Sequence, residues 1–432
     1  MSPLFQEHPL RDVLANELHT RAADEIMAPA QISHFAVLTG EDNEGALDHL
    51  ADLCQRLGGA APTQGANHFT IDFGGLVVRF ERHTEFCSYA FIRRGRTGEA
   101  PFDRMPLTVV PEDWLATLPG PVLSGVHIVL EARDEPEHDL GELSLRHFAG
   151  NVLMGAILGG GAAKALSDLR LHGDRFHRIL VRDVGLSPSH AGRTVQRLIE
   201  MNTYRALALL ALPQARNASP ALRGIDTALA DIAGRIADVR NKDKDADLLF
   251  ELSELTAQVE AVAAANSYRF AASRAYYQLV MRRLDDLRQG RLGELVTFTA
   301  FMERRLTPAM ATCQSVAERT EALSNRGARV ASLLRARVEV DLQAQNKRLL
   351  ESMDRRARLQ LRLQQAVEGL SVVAISYYMI GLVGYLAKGL KAAGILPWSD
   401  TLVTGLAVPV VIGMIYLGLR RAKKAMGLEE HD

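Results

Sequence analysis

Two uncharged segments near the C-terminus constrain the fold more than any other feature of this 432-residue chain. Gly369–Ala387 and Thr401–Leu419 each run for 19 residues without Asp, Glu, Lys, Arg or His. At a rise of about 1.5 Å per residue, a helix of this length spans roughly 28 Å, close to the hydrocarbon thickness of a bilayer. A buried helix of a soluble protein would normally carry a polar face over such a length. The sequence therefore predicts two transmembrane helices.

Basic residues flank this pair of apolar segments on their outer sides. They are Arg355, Arg356, Arg358 and Arg362 before the first segment, and Arg420, Arg421, Lys423 and Lys424 after the second. The connection carries only Lys388 and Lys391, so the positive-inside rule places both flanks in the cytoplasm. We therefore expect a two-span hairpin in the lipid bilayer of a bacterial inner (plasma) membrane. Both termini, including a basic tail over residues 420–432, would be cytoplasmic.

The composition narrows the possible partners of the rest of the chain. Hydrophobic residues make up 47% and charged residues 23%, which excludes wholesale disorder and a polytopic membrane protein. A net charge of −1 gives no electrostatic case for nucleic acid as a partner. The three cysteines lie far apart, which excludes a disulfide scaffold and a zinc finger. Only eight of the 50 basic residues are Lys, an Arg bias that we interpret as bacterial.

Residues 1–186 show the mixed periodicities of an α/β domain. Apolar alternation and β-forming residues predict strands at 31–39, 68–73, 76–82, 86–93, 126–132, 152–158 and 176–184. The leucine spacing over Glu44–Leu57 predicts a helix, and Gly74-Gly75 predicts a two-residue hairpin turn. The glycine-rich segment Gly155–Lys164 lacks the Gly-Lys-Ser/Thr order of a phosphate-binding loop. We interpret it as a turn between strands.

Residues 187–368 have helical periodicity nearly throughout. Ser187 and Pro188 fit an N-cap and the first helical position, and we expect this helix to end at Pro213 and Pro308 to interrupt the later helices. Apolar residues with seven-residue steps from Val316 predict a coiled-coil-like stalk that enters the first span. The predicted fold class is therefore α+β. It combines an N-terminal mixed α/β domain, a helical middle with a long stalk helix, and a C-terminal two-helix transmembrane hairpin at 369–419.

The N-terminal stretch contains an unusual variety of polar side chains. His8, Arg11, Glu17, His19 and Arg21 are residue types from which an acid–base or anion-binding site can be built. A surface helix with a His–Arg capping end is the simpler explanation of the same residue types. Both interpretations stay open from the sequence.

Two further segments carry candidate ligand-binding residues. Glu85 lies between two predicted strands, where it would face Arg79 or Arg93 across the sheet. Arg193 and Arg197 are four residues apart on a helical basic stripe, which either docks an anion or acidic partner or forms a solvated face. The 13 histidines show no metal-ligand spacing, and no Ser-His-Asp or Cys-His set is indicated. We therefore predict no catalytic residue, no cofactor and no metal site.

Three segments carry a resemblance to a known family. They are His8-Pro9-Leu10-Arg11 with Asn16-Glu17 and His19-Thr20-Arg21, then His83-Thr84-Glu85-Phe86, and the Gly192–Arg205 helix with Met201-Asn202-Thr203-Tyr204. With the two apolar segments, they make nearly the whole chain similar to a bacterial family of uncharacterised membrane-anchored proteins that contain a domain of unknown function. The resemblance implies membrane anchoring and supplies no reaction, substrate or assigned active residue.

The order of the parts is similar, more weakly, to that of the CorA-type magnesium channels, which form pentameric pores. Those channels carry Gly-Met-Asn at the end of the first span, whereas this chain reads Tyr378-Met379-Ile380-Gly381 in that region. The outer connection contains a single acidic residue, Asp400. The resemblance therefore implies a channel only as an alternative.

These observations predict a membrane-anchored cytosolic binding, sensing or scaffolding protein. Its ligand or soluble partner is not identifiable from the sequence, and the stalk predicts a homo-oligomer. One alternative is a CorA-like oligomeric channel for a cation or solute. The other is an enzyme with a site near residues 8–21.

Overall fold

The computed structural model describes residues 8–11, 25–40, 43, 45–95, 100–237, 245–395 and 397–425. Its strands are β1 Ala30–Leu38, β2 His68–Asp72, β3 Leu76–Arg82, β4 Phe86–Arg94, β5 Val122–Glu131, β6 Met154–Leu158, β7 Ala163–Ser167, β8 His177–Asp183 and β9 Gly290–Arg291. Its α-helices are α1 Gly45–Arg56, α2 Glu112–Ala116, α3 Leu140–His147, α4 Pro188–Leu209, α5 Ala211–Ala237, α6 Asp245–Asp286, α7 Phe298–Ala392 and α8 Asp400–Ala425. The α+β class, with a long helix and a C-terminal helix pair, is confirmed.

The nine strands form one sheet in the order β2-β3-β4-β1-β5-β8-β7-β6-β9. All neighbouring strands are antiparallel except β5 and β8, which pair in parallel across a long connection that contains α3, β6 and β7. The predicted hairpin turn at Gly74-Gly75 is confirmed, because both residues have positive φ and their N–H groups donate to Asp72 Oδ1. The segment Gly159–Gly161 likewise forms the turn between β6 and β7, as predicted.

The two faces of the sheet differ in chemistry. One face is apolar and packs beneath α1, with Phe35, Phe80, Tyr89 and Trp114 all buried in a single core. The opposite face packs beneath α4, and there the strands present a smaller apolar cluster around Phe86 together with several charged side chains. Because side chains alternate along a strand, neighbouring residues of β3 and β4 supply both environments.

The helical region begins as predicted and then departs from the predicted breaks. Ser187 caps α4 by accepting from His190 N–H, and Pro188 takes the first helical position. Helix α4 ends at Leu209, and Leu210 separates it from α5. Pro213 lies in the first turn of α5, where the backbone N–H that a proline lacks would have no partner within the helix. Pro308 lies inside α7 without ending it, so that prediction was wrong. Pro308 leaves the carbonyl of Arg304 without its helical N–H partner, and because Arg304 is exposed, water can hydrate that carbonyl.

The chain forms two compact units, Met1–Ala331 and Ser332–Asp432. In the first unit, Asp226 of α5 accepts salt bridges from Arg319 and Arg326 of α7 at 3.0 and 2.8 Å. Three of the heptad-spaced residues, Val316, Leu323 and Val330, are buried there. This part of the predicted stalk therefore packs within the chain itself. The domain boundaries that we predict from the sequence stay predictions.

The second unit contains the C-terminal part of α7 and all of α8. Gly394 ends α7 in a left-handed conformation, and Ile395 N–H donates to Leu390 C=O across it. The two helices approach each other where a Cβ on Gly384 would lie 3.5 Å from Thr404 Oγ1. Both helices are long and apolar enough to cross a membrane, and only 11% and 6% of their most apolar 18-residue windows are buried.

Candidate functional site

A polar layer lies between the second face of the sheet and α4. We define it by His34, Arg79, Glu81, His83, Glu85, Gln196 and Glu200, which come from β1, β3, the β3–β4 turn and α4. It contains Glu85, one of the predicted site residues. Buried charges are stable only where they are paired or hydrogen-bonded, so each member needs a partner.

Glu85 forms the most deeply buried ion pair of this layer. Its carboxylate accepts two hydrogen bonds from Arg269 of α6, at 3.1 and 2.5 Å, and its side chain is 5% exposed. The expected cross-strand partners do not take part, since Arg79 pairs with Glu81 and Arg93 donates to Arg104 C=O. The pair joins positions 184 residues apart, which no local pattern can reveal.

Aromatic side chains cover the Glu85–Arg269 pair. Tyr276 of α6 stacks on Tyr204 of α4 at 5.9 Å and meets the edge of Phe86 at 6.5 Å. Burial raises the pKa of Tyr276, and its hydrogen bond to the Glu85 carboxylate raises that pKa further. Tyr276 therefore stays a neutral hydrogen-bond donor to this pair.

A second network continues the layer along α4. Arg79 pairs with Glu81 at 2.9 Å and donates to Gln196, whose amide donates to Glu200 at 2.9 Å. Glu200 in turn forms a salt bridge with Arg283 of α6. Burial alone would raise the pKa of Glu81, but the hydrogen bond from His83 and the charge of Arg79 lower it to about 2.

The interior of the polar layer is too small to be a ligand pocket. Its cavity measures about 20 Å³, which fits a single water molecule. Two buried atoms facing it, His34 Nδ1 and Thr203 Oγ1, have no hydrogen-bond partner among the described residues. Burial lowers the pKa of His34 to about 3, so its imidazole is neutral at physiological pH. The polar layer therefore fastens the sheet to α4 and α6 rather than holding a ligand.

The family-like segment at the end of α4 also has a structural role in the fold. Arg205 donates to His177 Nε2 at 3.0 Å and to Asn202 Oδ1 at 2.8 Å. Because an arginine can only donate, His177 Nε2 accepts, and Nδ1–H donates to Gly125 C=O at 3.0 Å. Burial, followed by the charge of Arg205, lowers the pKa of His177 to about 4, in agreement with this neutral tautomer.

The structure describes four of the other predicted site residues, Arg193, Arg197, His8 and Arg11. Arg193 and Arg197 are partly exposed; Arg193 donates to Ser189 Oγ at 2.5 Å, and no described residue forms an ion pair with Arg197. His8 and Arg11 are exposed, and His8 Nδ1 accepts from Leu10 N–H. Three further predicted residues, Glu17, His19 and Arg21, lie outside the described residues.

An open groove with basic walls lies elsewhere in the first unit. We call it the arginine groove; its volume is about 730 Å³. Its lining residues are Val152, Leu153, Met154, Asp168, Leu169, Arg170, Val296, Phe301, Arg304 and Arg305. They come from the start of β6, the segment after β7, and the beginning of α7. Gly155 N–H donates to Val296 C=O at 3.1 Å and joins the first and last of these parts.

One carboxylate, that of Asp168, lines the arginine groove, and it is fully engaged. Asp168 Oδ2 accepts from Asn151 at 2.8 Å, and Oδ1 accepts from Arg170 N–H at 3.1 Å. His172 Nε2 lies 3.2 Å from the same carboxylate. These contacts hold the backbone of the segment that carries Arg170. No sequence motif predicts this groove, and its only local signal is the adjacent pair Arg304-Arg305.

Within the described ranges, no group of three or more His, Cys, Asp or Glu side chains is placed to hold a metal ion. In the comparisons with known proteins, a family model described as "Protein of unknown function (DUF3422)" matches residues 6–426. No curated protein matches the chain. Neither comparison supports the likeness to CorA-type channels.

Proposed function

The chain belongs to the DUF3422 family of proteins of unknown function, and we propose that it is a membrane-anchored binding or sensing protein. The observation that carries this proposal is the exposed apolar surface of the second unit. Leu370, Tyr377 and Leu386 of α7 are each 67–78% exposed, and Leu402 and Leu417 of α8 are 58% exposed. Helices with this surface are stable in lipid, where all backbone groups are paired within the helix.

The anchor would be a hairpin in a bacterial inner membrane, with both termini in the cytoplasm. Supporting this orientation, the arginines before the first apolar segment and the basic residues after the second outnumber the two lysines of the connection. The first unit would then face the cytoplasm. It supplies the arginine groove, whose volume is in the range of small-molecule sites, about 300–1,000 Å³.

The stalk supports self-association as part of this proposal. Leu342, Leu349, Leu350 and Met353 of α7 are each more than half exposed, and they extend the heptad-like spacing noted in the sequence. A second copy of the chain, with the same face, would cover them in a coiled coil. Ion conduction and catalysis near residues 8–21 stay predictions from the sequence.

Membrane extraction tests the anchor. The full-length protein should remain in the membrane pellet after an alkaline carbonate wash, whereas a variant lacking residues 369–419 should move to the supernatant. A full-length protein that stays monodisperse in buffer without detergent would contradict the proposal.

Thiol labelling tests the orientation, and the chain suits it because Cys54, Cys87 and Cys313 are buried. In S399C, an impermeant maleimide should label the connection in intact spheroplasts. In the matched control A357C, on the exposed stalk, labelling should require lysis. Labelling of A357C in intact spheroplasts would contradict the proposed orientation.

A further inference from the structure

We propose that the arginine groove binds a small amphipathic anion, of the class of monoalkyl or acyl phosphates. This inference rests on the proposed function, in which the groove is the ligand site of an anchored binding protein. The phosphate would lie among Arg170, Arg304 and Arg305, and the hydrocarbon part along the apolar wall formed by Val152 and its neighbours.

The charge of the groove selects an anion. Arg170, Arg304 and Arg305 are exposed, and none of them forms an ion pair with a described residue. Arg304 uses its Nε to donate to Ala300 C=O at 3.3 Å, which leaves its two terminal nitrogens for a ligand. The guanidinium fork matches phosphate oxygens in a bidentate geometry, and the N-terminal end of α7 adds the positive end of the helix dipole.

The helix end alone does not make this site. Its first N–H groups are already bonded, since Thr299 N–H donates to Gln289 Oε1 and Ala300 N–H donates to Thr297 Oγ1. A bound anion would therefore depend on the arginine side chains. Asn151, His172 and the Arg170 backbone hold the Asp168 carboxylate in place, and its single negative charge is outnumbered by the three arginines of the groove.

The remaining lining of the groove selects a ligand with an apolar part. Six of its ten lining residues are apolar: Val152, Leu153, Met154, Leu169, Val296 and Phe301. Val152 is 88% exposed at this wall, so a hydrocarbon chain lying on it removes apolar surface from water. The 730 Å³ volume is far larger than an inorganic phosphate needs and suits a small molecule of this class.

Calorimetric titration of the full-length protein in phosphatidylcholine nanodiscs tests the proposal, with empty nanodiscs as the blank. The probes are hexyl phosphate, inorganic phosphate and hexyl glucoside. Hexyl phosphate should bind one per chain and more tightly than either of the others. Equal affinity for inorganic phosphate would overturn the apolar part of the proposal, and equal affinity for hexyl glucoside would overturn the anionic part.

Charge-removal variants locate the site. R304Q/R305Q should weaken hexyl phosphate binding by about tenfold or more, since each charge-assisted hydrogen bond contributes at least that factor. R170Q, on a different element, should also weaken it. The control R216Q/R223Q removes the same charge from exposed positions of α5 that lie outside the groove, and it should bind like the wild type. If R304Q/R305Q binds as tightly as this control, the groove is not the site.

Two further measurements distinguish a failure of the proposed ligand from a failure of the proposed membrane anchor. If phosphatidylglycerol in the nanodisc displaces hexyl phosphate from the wild type, the groove serves a lipid headgroup and the small-molecule proposal falls. Membrane retention of every variant is measured in parallel by flotation. Retention without hexyl phosphate binding refutes this inference alone, whereas loss of retention by the wild type refutes the proposed anchor.

Discussion

The two units of this protein use the same apolar residue types in opposite ways. In the first unit, Trp114 and Phe80 are completely buried in a core beneath α1. In the second unit, Tyr377, Tyr385 and Trp398 are 62–77% exposed. The first unit therefore excludes water from its core with its own side chains, whereas the described residues leave the apolar surface of the second uncovered. The contrast indicates two different solvents for two parts of one chain.

The largest effect on this contrast is expected when charged residues are placed in the centre of the apolar helices. M379R/V410R places one arginine near the middle of each predicted span, at a cost of about 6 kcal/mol of insertion free energy in total. The protein should leave the membrane pellet or be degraded. The control A357R makes a comparable change on the exposed stalk and should be retained. Full retention of M379R/V410R would show that these helices do not lie in lipid.

The two tryptophans offer a matched comparison of the units. Trp114→Ala empties a site in the buried core and should lower the free energy of unfolding by about 3–5 kcal/mol. Trp398 belongs to the second unit, so Trp398→Ala should leave the unfolding free energy of the first unit within about 0.5 kcal/mol of wild type. Urea unfolding of the full chain in nanodiscs, followed by near-ultraviolet circular dichroism, measures both. Equal effects would mean that the difference in burial is not real.

Buried and exposed ion pairs should differ in the same way. Glu85→Gln leaves the Arg269 guanidinium without its carboxylate and should cost about 2–4 kcal/mol of unfolding free energy. Glu142→Gln breaks an exposed pair with Arg146, 2.6 Å long, and should cost less than about 0.5 kcal/mol. The urea titration used for the tryptophan variants compares them. If Glu85→Gln lowers the free energy of unfolding no more than Glu142→Gln does, the polar layer does not have the structural role described above.

Acidification should lower the free energy of unfolding of the first unit by a smaller amount than the substitutions above. His34 has its pKa lowered to about 3 by burial, so below about pH 6.5 the unfolded chain binds a proton that the folded chain refuses. The free energy of unfolding should therefore fall by about 1–2 kcal/mol on this account between pH 7 and 5. Glu81, with its folded pKa near 2, adds a further loss only below about pH 4.5.

His34→Gln isolates this contribution. The variant should show a shallower decrease between pH 7 and 5 than the wild type, while the exposed control His190→Gln should follow the wild type. Stability curves of H34Q and the wild type that run parallel over this range would rule out a neutral buried imidazole at position 34.

The sequence predicted the regular parts of the fold because they carry local signals. Alternating apolar residues marked most strands, and glycine pairs marked the turns, since only particular residues tolerate those backbone conformations. It missed β7, whose residues Ala163–Ser167 contain one large apolar side chain, and β9, which has two residues and no pattern. The position of Pro308 inside α7 was also missed, because tolerance of a proline depends on exposure of the preceding turn.

The sites were less predictable than the fold, because they join distant parts of the chain. Glu85 was named from the sequence with Arg79 or Arg93 as its expected partner, whereas its actual partner Arg269 lies on a helix with no related motif. Arg205 ends the family-like segment of α4, and only the packing of α4 on the sheet shows that its side chain turns inward. The arginine groove is formed by three segments, and none of them carries a sequence motif that indicates a binding site.

The long reach of the Glu85–Arg269 pair has a consequence for biosynthesis. The carboxylate of residue 85 leaves the ribosome 184 residues before its partner, which corresponds to about 10–40 s of translation. Throughout that interval the strands exist without the helix that neutralises their charged face. The nascent N-terminal sheet should therefore mature late, and a chain truncated before residue 269 would be the form most exposed to chaperones and proteases.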